Sequence, residues 1–508
     1  MKKLLIITTI LLLYTIATAQ QKDKSSQNIL YSNFINPPNT AKPRVWWHWM
    51  NGNITKDGIA KDLRWMERSG IGGFQNFDAA LMTPQIVKQR LTYMTPEWKD
   101  AFAFTTRLAD SLQLEMAIAG SPGWSESGGP WVKPEDGMKK IVWSEKRIEG
   151  GKAFAGKLLQ PPAVTGTFQN LSLQAQISLS APAEAPPQYY KDIAVLAYKL
   201  PDADIPLNVL KPAITSSGGH FNITQLTDGD LATTNLLPSD TIKGYAWIQF
   251  AFDQPQTIKA VTIVGGGDKG PFGLYGDFKD TRSLEASDNG ENFKRICYIP
   301  AGNVLQQTIS IPATTAKFFR ITIKNPPPKF SFGSLSGNNT TPQAPPGTEI
   351  GELVLHTASR INMFEEKAAF ATGGKFYEQA TPATNDIINE ADVIDITDKF
   401  SSDGILRWNT PAGNWNIVRY GFSLTGKQNH PASPEATGLE VDKLDAAAVK
   451  AYFSNYLDQY KSATQNLMGS KGLQFVVTDS WEAGTQNWAT NLASEFQKRR
   501  GYNLLQWM

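Results

Sequence analysis

Three short apolar runs alternate with two amphipathic helical segments between residues 45 and 119. The runs are 45–50, 71–77 and 116–119, and the two helices begin after Thr55 and Thr95, each of which can cap a helix. Parallel strands need a crossover helix, so this alternation predicts a parallel sheet or a (β/α)8 barrel. It restricts the possible folds more than any other feature of the chain.

The α/β alternation stops near residue 140. From there to about residue 425, short segments alternate apolar and polar residues, and turn residues separate them. Ile248, Phe250 and Phe252, for example, lie on the opposite face of a strand from Trp247 and Gln249. Such segments are typical of a β-sandwich inserted into the α/β fold.

The α/β pattern resumes near residue 440. Asp445 can cap a helix, residues 473–478 are an apolar run typical of a buried strand, and a last helix ends at Gly501. Four parallel strands are recognisable, whereas a closed barrel needs eight. The predicted fold is therefore α/β plus all-β: a partial (β/α)8 TIM-type barrel, interrupted after strand 3 by an inserted β-sandwich region, with the remainder of the barrel absent.

The N-terminus has the three parts of a secretory signal peptide. Lys2 and Lys3 precede the apolar residues 4–13, and Ala17-Thr18-Ala19 forms a cleavage site. We expect a secreted protein, periplasmic or extracellular, with no integral membrane segment after cleavage. The predicted domains are a signal peptide (1–19), a leader (20–42), a first barrel part (43–139), an all-β insertion (140–425) and a continuation of the barrel (426–508).

Charge and cysteine content exclude several classes of protein. The 508 residues include 49 Lys plus Arg and 47 Asp plus Glu, and removal of Lys2 and Lys3 with the signal peptide leaves 47 against 47. A neutral chain is a poor nucleic-acid binder. The single cysteine, Cys297, permits no intramolecular disulfide and no CxxC zinc site, and the four histidines lack HExxH spacing.

The carboxyl ends of the predicted strands carry aromatic, amide and carboxylate side chains. Functional residues of βα barrels collect at these ends, and such side chains suit sugars because rings stack on sugar C–H faces while amides and carboxylates bond hydroxyl groups. The candidate substrate-binding residues are His48, Trp49, Asn51, Asp78, Trp124, Trp131 and Asp479. Alternation along the first strand places His48 opposite Trp47 and Trp49, so at least one tryptophan packs against helices. His48 itself can also be a packed core residue.

Glu482 is the main candidate for catalysis. It follows an apolar run, where a carboxyl group can be partly removed from water and kept protonated to assist a leaving oxygen. The alternative is that Glu482 only opens the next helix, where acids are favoured. Glu440 and Asp442, which precede a helix, can be a solvated loop.

Several motifs, in order, resemble glycoside hydrolase family 106, the α-L-rhamnosidases. They are Pro43-Arg-Val-Trp-Trp-His-Trp-Met-Asn-Gly52, Gly70-Ile-Gly-Gly-Phe74, Gly128-Gly-Pro-Trp-Val132, Thr437-Gly-Leu-Glu-Val-Asp-Lys443 and Thr478-Asp-Ser-Trp-Glu-Ala-Gly484 with Gln486-Asn-Trp488. The resemblance implies inverting, calcium-assisted removal of terminal α-L-rhamnosyl residues from plant-type polysaccharides or glycosides. It maps the general acid onto Glu482, adds Gln486 and Asn487 as substrate-binding residues, and places the general base outside this chain.

Residues 210–358 resemble a discoidin-type β-sandwich. The motifs are Thr227-Asp-Gly-Asp230, Trp247-Ile-Gln-Phe250, Glu285-Ala-Ser-Asp-Asn-Gly290 and Phe318-Phe-Arg-Ile-Thr-Ile323. The resemblance implies sugar binding and a Ca²⁺ ion, for which Asp228 and Asp230 are candidate ligands; both can instead be simple turn residues. The alternatives to an active rhamnosidase are a non-catalytic glycan-binding protein and a truncated, inactive one.

Overall fold

A computed structural model describes residues 28–81, 83–164, 166, 168–169, 171, 187–266, 281–300, 304–326, 346–371, 380–478 and 480–508. The predicted signal peptide, the first residues of the leader and Asp479 lie outside the described residues. No helix among the described residues is long and apolar enough to cross a membrane.

The described strands, in chain order, are β1 (Arg44–Met50), β2 (Gly73–Ala79), β3 (Glu115–Ala119), β4 (Lys139–Glu149), β5 (Ala153–Lys157), β6 (Tyr190–Lys199), β7 (Ala213–Ser216), β8 (Asn235–Pro238), β9 (Tyr245–Val264), β10 (Arg282–Ser287), β11 (Lys294–Tyr298), β12 (Gln306–Lys324), β13 (Gly347–Ile350), β14 (Glu352–His356), β15 (Ile394–Asp395), β16 (Ile405–Asn409), β17 (Asn414–Leu424) and β18 (Leu473–Val477). The described α-helices are α1 (Lys56–Arg68), α2 (Pro96–Ser111), α3 (Leu207–Leu210), α4 (Phe364–Lys367), α5 (Ala446–Ala463) and α6 (Leu492–Arg500). Short 3-10 helices lie at Asn39–Ala41, Pro134–Asp136, Glu390–Asp392, Thr397–Lys399, Pro434–Ala436 and Leu504–Trp507.

The chain forms two compact units, each assembled from separate segments. The first unit contains Met1–Ser127, His430–Ala436 and Ser454–Ser480, and the second contains Gly128–Asn429, Thr437–Phe453 and Trp481–Met508. Residues 128–139 join the second unit because backbone pairing ties them there, with Gly137 opposite Val441 and Lys139 opposite Trp488. The predicted domain boundaries at 139 and 425 stay predictions.

The first unit contains a four-stranded parallel sheet in the order β1-β2-β3-β18. Helix α1 begins as predicted, since the Thr55 hydroxyl accepts a hydrogen bond from the Gly58 backbone N–H at 3.1 Å, and Ile59, Leu63 and Met66 are buried. The sheet and its crossover helices confirm a mixed α/β architecture. Closure into a TIM-type barrel stays a prediction.

Strand β18 differs from its sequence prediction. Its apolar run predicts a buried strand, yet Phe475 is 51% exposed, with Val476 and Val477 also exposed. The physical reason is position: β18 is the last strand in the described order of the sheet and pairs there with β3. Burial of a parallel strand needs layers on both faces, which the described residues do not supply here.

The second unit is mainly antiparallel β structure. Its largest sheet has the order β11-β10-β12-β9-β14, with β7 also on β9. The β8–β13 pair adds Leu237 and Ile350 to the same apolar core as Phe250, Leu284 and Ile321 of the large sheet. Assignment of this region to the discoidin type stays a prediction.

A second β region lies within the same unit. Strands β15-β6-β17-β4 form one sheet, and β16 pairs with β5. Their shared core includes Val195, Ile417, Leu406 and the edge-to-face pair Trp408 and Trp415, whose ring centroids are 5.2 Å apart. Burial alternates along β16, as the sequence pattern predicts, whereas nearly every residue of the central strand β17 is buried.

Candidate functional site

In the first unit, His48 and Trp124 form a hydrogen-bonded aromatic pair. The His48 ring stacks on Phe77 at 4.8 Å between centroids, and the Trp124 indole N–H donates to His48 Nε2 at 3.0 Å. Burial lowers the pKa of His48 below its ordinary value. A neutral imidazole is consistent with the role of His48 Nε2 as acceptor. The Trp124 ring is 40% exposed and is therefore available to stack on a sugar.

The loop that carries Trp124 is fixed by a residue far away in the sequence. The Trp124 backbone N–H donates to the His430 carbonyl at 3.0 Å, and the His430 N–H donates to Ser125 Oγ at 2.9 Å. His430 is one of the four histidines that lack HExxH spacing, and no motif in the sequence indicates a role for it. Sequence spacing carries no signal for this contact, because about 305 residues separate its partners.

Trp49 and Asp78 lie on the helix-facing side of the sheet. The Trp49 ring contacts Trp98 of α2 at 5.5 Å, and the Trp98 indole donates to Asp78 Oδ2 at 2.8 Å. The predicted alternation of His48 and Trp49 is thereby confirmed. Burial raises the pKa of Asp78 to about 7, against the opposing effect of the Trp98 hydrogen bond, and the charge of Glu435 raises it further.

Asn51 holds the loop that follows β2. Its amide N–H₂ group donates to the Leu81 carbonyl and to Thr83 Oγ1, the latter at 2.7 Å. The backbone of Asn51 also has a positive φ of 51°, a conformation that asparagine tolerates better than most residues. Substrate contact by Trp49, Asn51 and Asp78 stays a prediction, and the structure shows a positioning contact for each.

In the second unit, Glu482 lies within a cluster of charged residues. Its side chain is exposed, which corrects the expectation of partial burial: Glu482 follows β18, a strand with exposed side chains. Burial lowers the pKa of the Lys427 ammonium, and the negative charges of Glu440 and Glu482 oppose that shift. Lys443 lies 5.2 Å from the ring of Trp481 and 2.8 Å from Glu440 Oε2.

Glu440 and Asp442 are buried, so the alternative of a solvated loop is wrong. Their exposed fractions are 1% and 0%. Asp442 Oδ2 lies 3.0 Å from Lys139 Nζ, and both side chains are fully buried. Each charge offsets the cost of burying the other, because an isolated buried ion is strongly disfavoured. No sequence pattern indicates this ion pair, because 303 positions separate Lys139 from Asp442.

Gln486 and Asn487 brace backbone segments around this cluster. The Gln486 amide donates to Asp442 Oδ1 and its oxygen accepts from the Lys443 N–H at 3.1 Å. The Asn487 oxygen accepts from the Ile141 N–H at 2.9 Å, and its N–H₂ group donates to the Ala368 carbonyl at 2.9 Å. Gln486 therefore positions Lys443, and Asn487 joins the backbone at Ile141 to the backbone at Ala368. Contact of either residue with substrate stays a prediction.

A sequence profile of the α-L-rhamnosidase family, glycoside hydrolase family 106, matches residues 35–508. The chain belongs to this family. It resembles the solved structure of a rhamnosidase from Novosphingobium sp. PP1Y, with 41% identity and a TM-score of 0.78 over 94% of this chain and 42% of that one. A Formosa agariphila protein named "Putative beta-glucuronidase" is 25% identical over 94% of this chain and 26% of its own length. The chain therefore spans less than half the length of these relatives.

Two further predicted sites lie in the second unit of this family 106 chain. Trp131 stacks on Tyr452, with centroids 6.1 Å apart and planes 28° apart. Asp228 Oδ1 accepts from the Asp230 N–H, and Asp230 Oδ2 accepts from Thr233 Oγ1, as in a turn. The Trp131–Tyr452 stack covers one face of the Trp131 ring, and its contact with sugar stays a prediction.

Glu352 joins Asp228 and Asp230 at this turn, which the sequence did not indicate. It accepts a hydrogen bond from the Gly229 N–H. Burial raises the pKa of Glu352 to about 7. The hydrogen bond from Gly229 lowers this pKa, and the negative charges of Asp228 and Asp230 raise it. Among the described residues, no three His, Cys, Asp or Glu side chains are arranged to hold a metal ion by themselves. An ion here would need backbone oxygens as further ligands.

Proposed function

We propose that the chain supplies part of the active site of an inverting α-L-rhamnosidase, with Glu482 as the general acid and the general base outside this chain. Family membership supports the reaction class. The observation that carries the assignment is the position of Glu482: it is an exposed carboxylate whose charge acts on Lys427, beside the buried Glu440–Lys443 pair. Inversion needs a second carboxylate with a water molecule between the two.

The proposed substrate is a rhamnose-containing oligosaccharide or polysaccharide of plant type. Each unit exposes a tryptophan near its candidate residues: Trp124 of the first unit is 40% exposed and Trp481 of the second unit is 46% exposed. Exposed aromatic rings offer apolar faces to sugar C–H groups. The predicted signal peptide supports secretion to the periplasm or the medium, where such glycans are met.

The stereochemistry of the first product tests this proposal. The complete reading frame that contains these residues is expressed, and hydrolysis of an α-L-rhamnoside is followed by proton NMR from the first minutes. We expect β-L-rhamnose to form first and then to mutarotate, because a single displacement inverts the anomeric centre. Initial α-L-rhamnose, or no rhamnose at all, would contradict the proposal. Turnover by the 508-residue chain alone would contradict the placement of the base.

We further propose that calcium binds at the Asp228–Asp230 turn with Glu352. The support is the chemistry of the turn: Glu352 accepts from the Gly229 N–H between the two aspartates, and oxygen is the ligand that Ca²⁺ prefers. The three carboxylates do not form a metal site by themselves, so backbone oxygens would complete it. At pH 7.5, saturating Ca²⁺ is expected to raise the melting temperature of the full chain by a few degrees relative to chelator, because an ion that binds only the folded state stabilises it. The Glu352→Gln variant should lose that response. An equal response in wild type and variant would exclude this site.

A further inference from the structure

A cavity of about 230 Å³ opens on the outer face of the large sheet of the second unit. The opposite face of the same strands carries Leu284, Ile321 and Ile323, which are buried in the apolar core. The cavity is smaller than the roughly 300–1,000 Å³ of pockets for drug-sized ligands, and its size suits a single sugar ring.

Strand register brings the lining side chains together. Ser283 of β10 lies opposite both Tyr298 of β11 and Thr322 of β12. Two residues beyond Thr322 on β12, Lys324 lies opposite Tyr245 of β9. Directly opposed residues point to the same side of a sheet, and so do residues two apart on one strand. The sheet therefore builds this cavity from rigid strands rather than loops.

Two tyrosines offer partly open rings at the cavity. Tyr245 is 37% exposed and Tyr298 is 39% exposed. The guanidinium of Arg295 lies 4.0 Å from the Tyr298 ring centroid, which holds both groups in place. The Tyr298 ring, which Arg295 holds and which is partly exposed, is suited to stack on a sugar, and the Tyr245 ring is exposed to a similar extent.

The cations at the cavity are not used for ion pairs within the described part of the chain. Arg295 and Lys324 are exposed, and neither has a described carboxylate within salt-bridge distance. Arg320, the next outward-facing residue of β12, differs: it pairs with Glu285 at 2.7 Å. A third lining cation, Arg282, is buried and donates to the carbonyl oxygens of Gly265 and Pro300. The two exposed positive charges beside two tyrosines favour an anionic ligand.

A buried hydroxyl lies next to the cavity. Thr322 is one of the lining residues, and its Oγ1 is removed from solvent and has no hydrogen-bond partner among the described residues. Leaving a buried polar group unsatisfied is unfavourable. Because Oγ1 has no exposed surface, the Thr322 side chain must turn toward the cavity before a ligand oxygen can provide the missing partner.

We propose that this outer sheet face binds an acidic glycan, a chain of uronic acid residues. A sugar ring stacks on Tyr245 and Tyr298, its carboxylate lies between Arg295 and Lys324, and Thr322 bonds to an oxygen of the same ring. This binding site holds the polysaccharide near the protein. It is independent of the proposed hydrolysis of rhamnosyl residues, which involves other residues.

Isothermal titration calorimetry of the full 508-residue chain tests this site. The probes are trigalacturonic acid and, as the neutral comparison, cellotriose. We expect binding of the acidic trisaccharide that weakens as salt rises, and at least tenfold weaker binding of cellotriose. Tyr298→Ala and Arg295→Gln should each weaken trigalacturonate binding about tenfold or more, and Thr322→Val about threefold or more.

The matched control is Lys294→Gln, which removes an exposed cation from the start of β11, outside the cavity lining. It should bind like wild type. Equal binding of both sugars, no binding by wild type, or an equal loss in Lys294→Gln would each overturn the proposal. Thermal unfolding of each variant shows whether it is folded. If Tyr298→Ala or Arg295→Gln is misfolded, trigalacturonate binding by Thr322→Val, a change of one polar atom, decides the result. Rhamnose release by the complete protein reports on the proposed function separately.

Discussion

Replacing Glu482 with glutamine in the complete protein is expected to lower kcat/KM on rhamnose-containing oligosaccharides about 10²–10⁴-fold. Glutamine keeps the size of the side chain but has no acidic proton, so a departing sugar oxygen leaves as an alkoxide. The exposed position of Glu482 limits the effect of the substitution on folding, because substitutions at exposed positions usually change stability little. Steady-state kinetics on a defined oligosaccharide measures the loss.

The chain offers a matched control for this substitution. Glu495 is also a glutamate of the second unit, and it pairs with Arg499 one turn along α6 at 3.0 Å, with Arg499 74% exposed. Exposed ion pairs contribute little to stability or activity. We expect Glu495→Gln to retain wild-type kcat/KM. A comparable loss in this variant would show that general charge, rather than the acid at position 482, controls the rate.

Asp442→Asn is expected to destabilise the second unit by about 3–5 kcal/mol. The substitution leaves the Lys139 ammonium fully buried without its counter-charge and weakens the hydrogen bond that Gln486 donates to Asp442. Urea denaturation of the full chain, followed by tryptophan fluorescence, measures the change in free energy of unfolding. Trp488, buried beside this network, is a useful reporter.

A double substitution distinguishes loss of the ion pair from loss of packing. Lys139→Met with Asp442→Leu replaces two buried charges by apolar groups of similar size, and such exchanges are often neutral. We expect the double variant to be more stable than Asp442→Asn. The single variants Lys139→Met and Asp442→Leu are measured as well. A stability change in the double variant equal to the sum of the changes in Lys139→Met and Asp442→Leu would show that Lys139 and Asp442 act independently.

The exposed ion pair of Lys152 and Glu149 is the matched control. We expect Glu149→Gln to leave the free energy of unfolding unchanged.

The features that were predicted correctly from the sequence are those that a short stretch of residues determines. The helix caps at Thr55 and Asp445 were identified correctly, because a cap needs only its own first turn. The opposite orientations of His48 and Trp49 followed from strand alternation. These features required no knowledge of distant segments.

The remaining features depend on contacts between distant segments. The contact of His430 with the Trp124 loop and the pairing of Lys139 with Asp442 each join residues about 300 positions apart. The exposure of β18 and of Glu482 likewise reflects which layers surround a strand, and an apolar run does not specify those layers. The position after an apolar run and the motif resemblance both pointed to Glu482, and its catalytic role stays a prediction.

The most direct test of the general-acid assignment compares two leaving groups in Glu482→Gln. The complete protein and the variant are assayed on methyl α-L-rhamnoside, whose leaving group needs a proton, and on 4-nitrophenyl α-L-rhamnoside, whose leaving group departs readily as an anion. We expect kcat to fall about 10²–10⁴-fold on the methyl rhamnoside and less than about tenfold on the nitrophenyl rhamnoside. An equal fall on both substrates would contradict the assignment of Glu482 as the general acid.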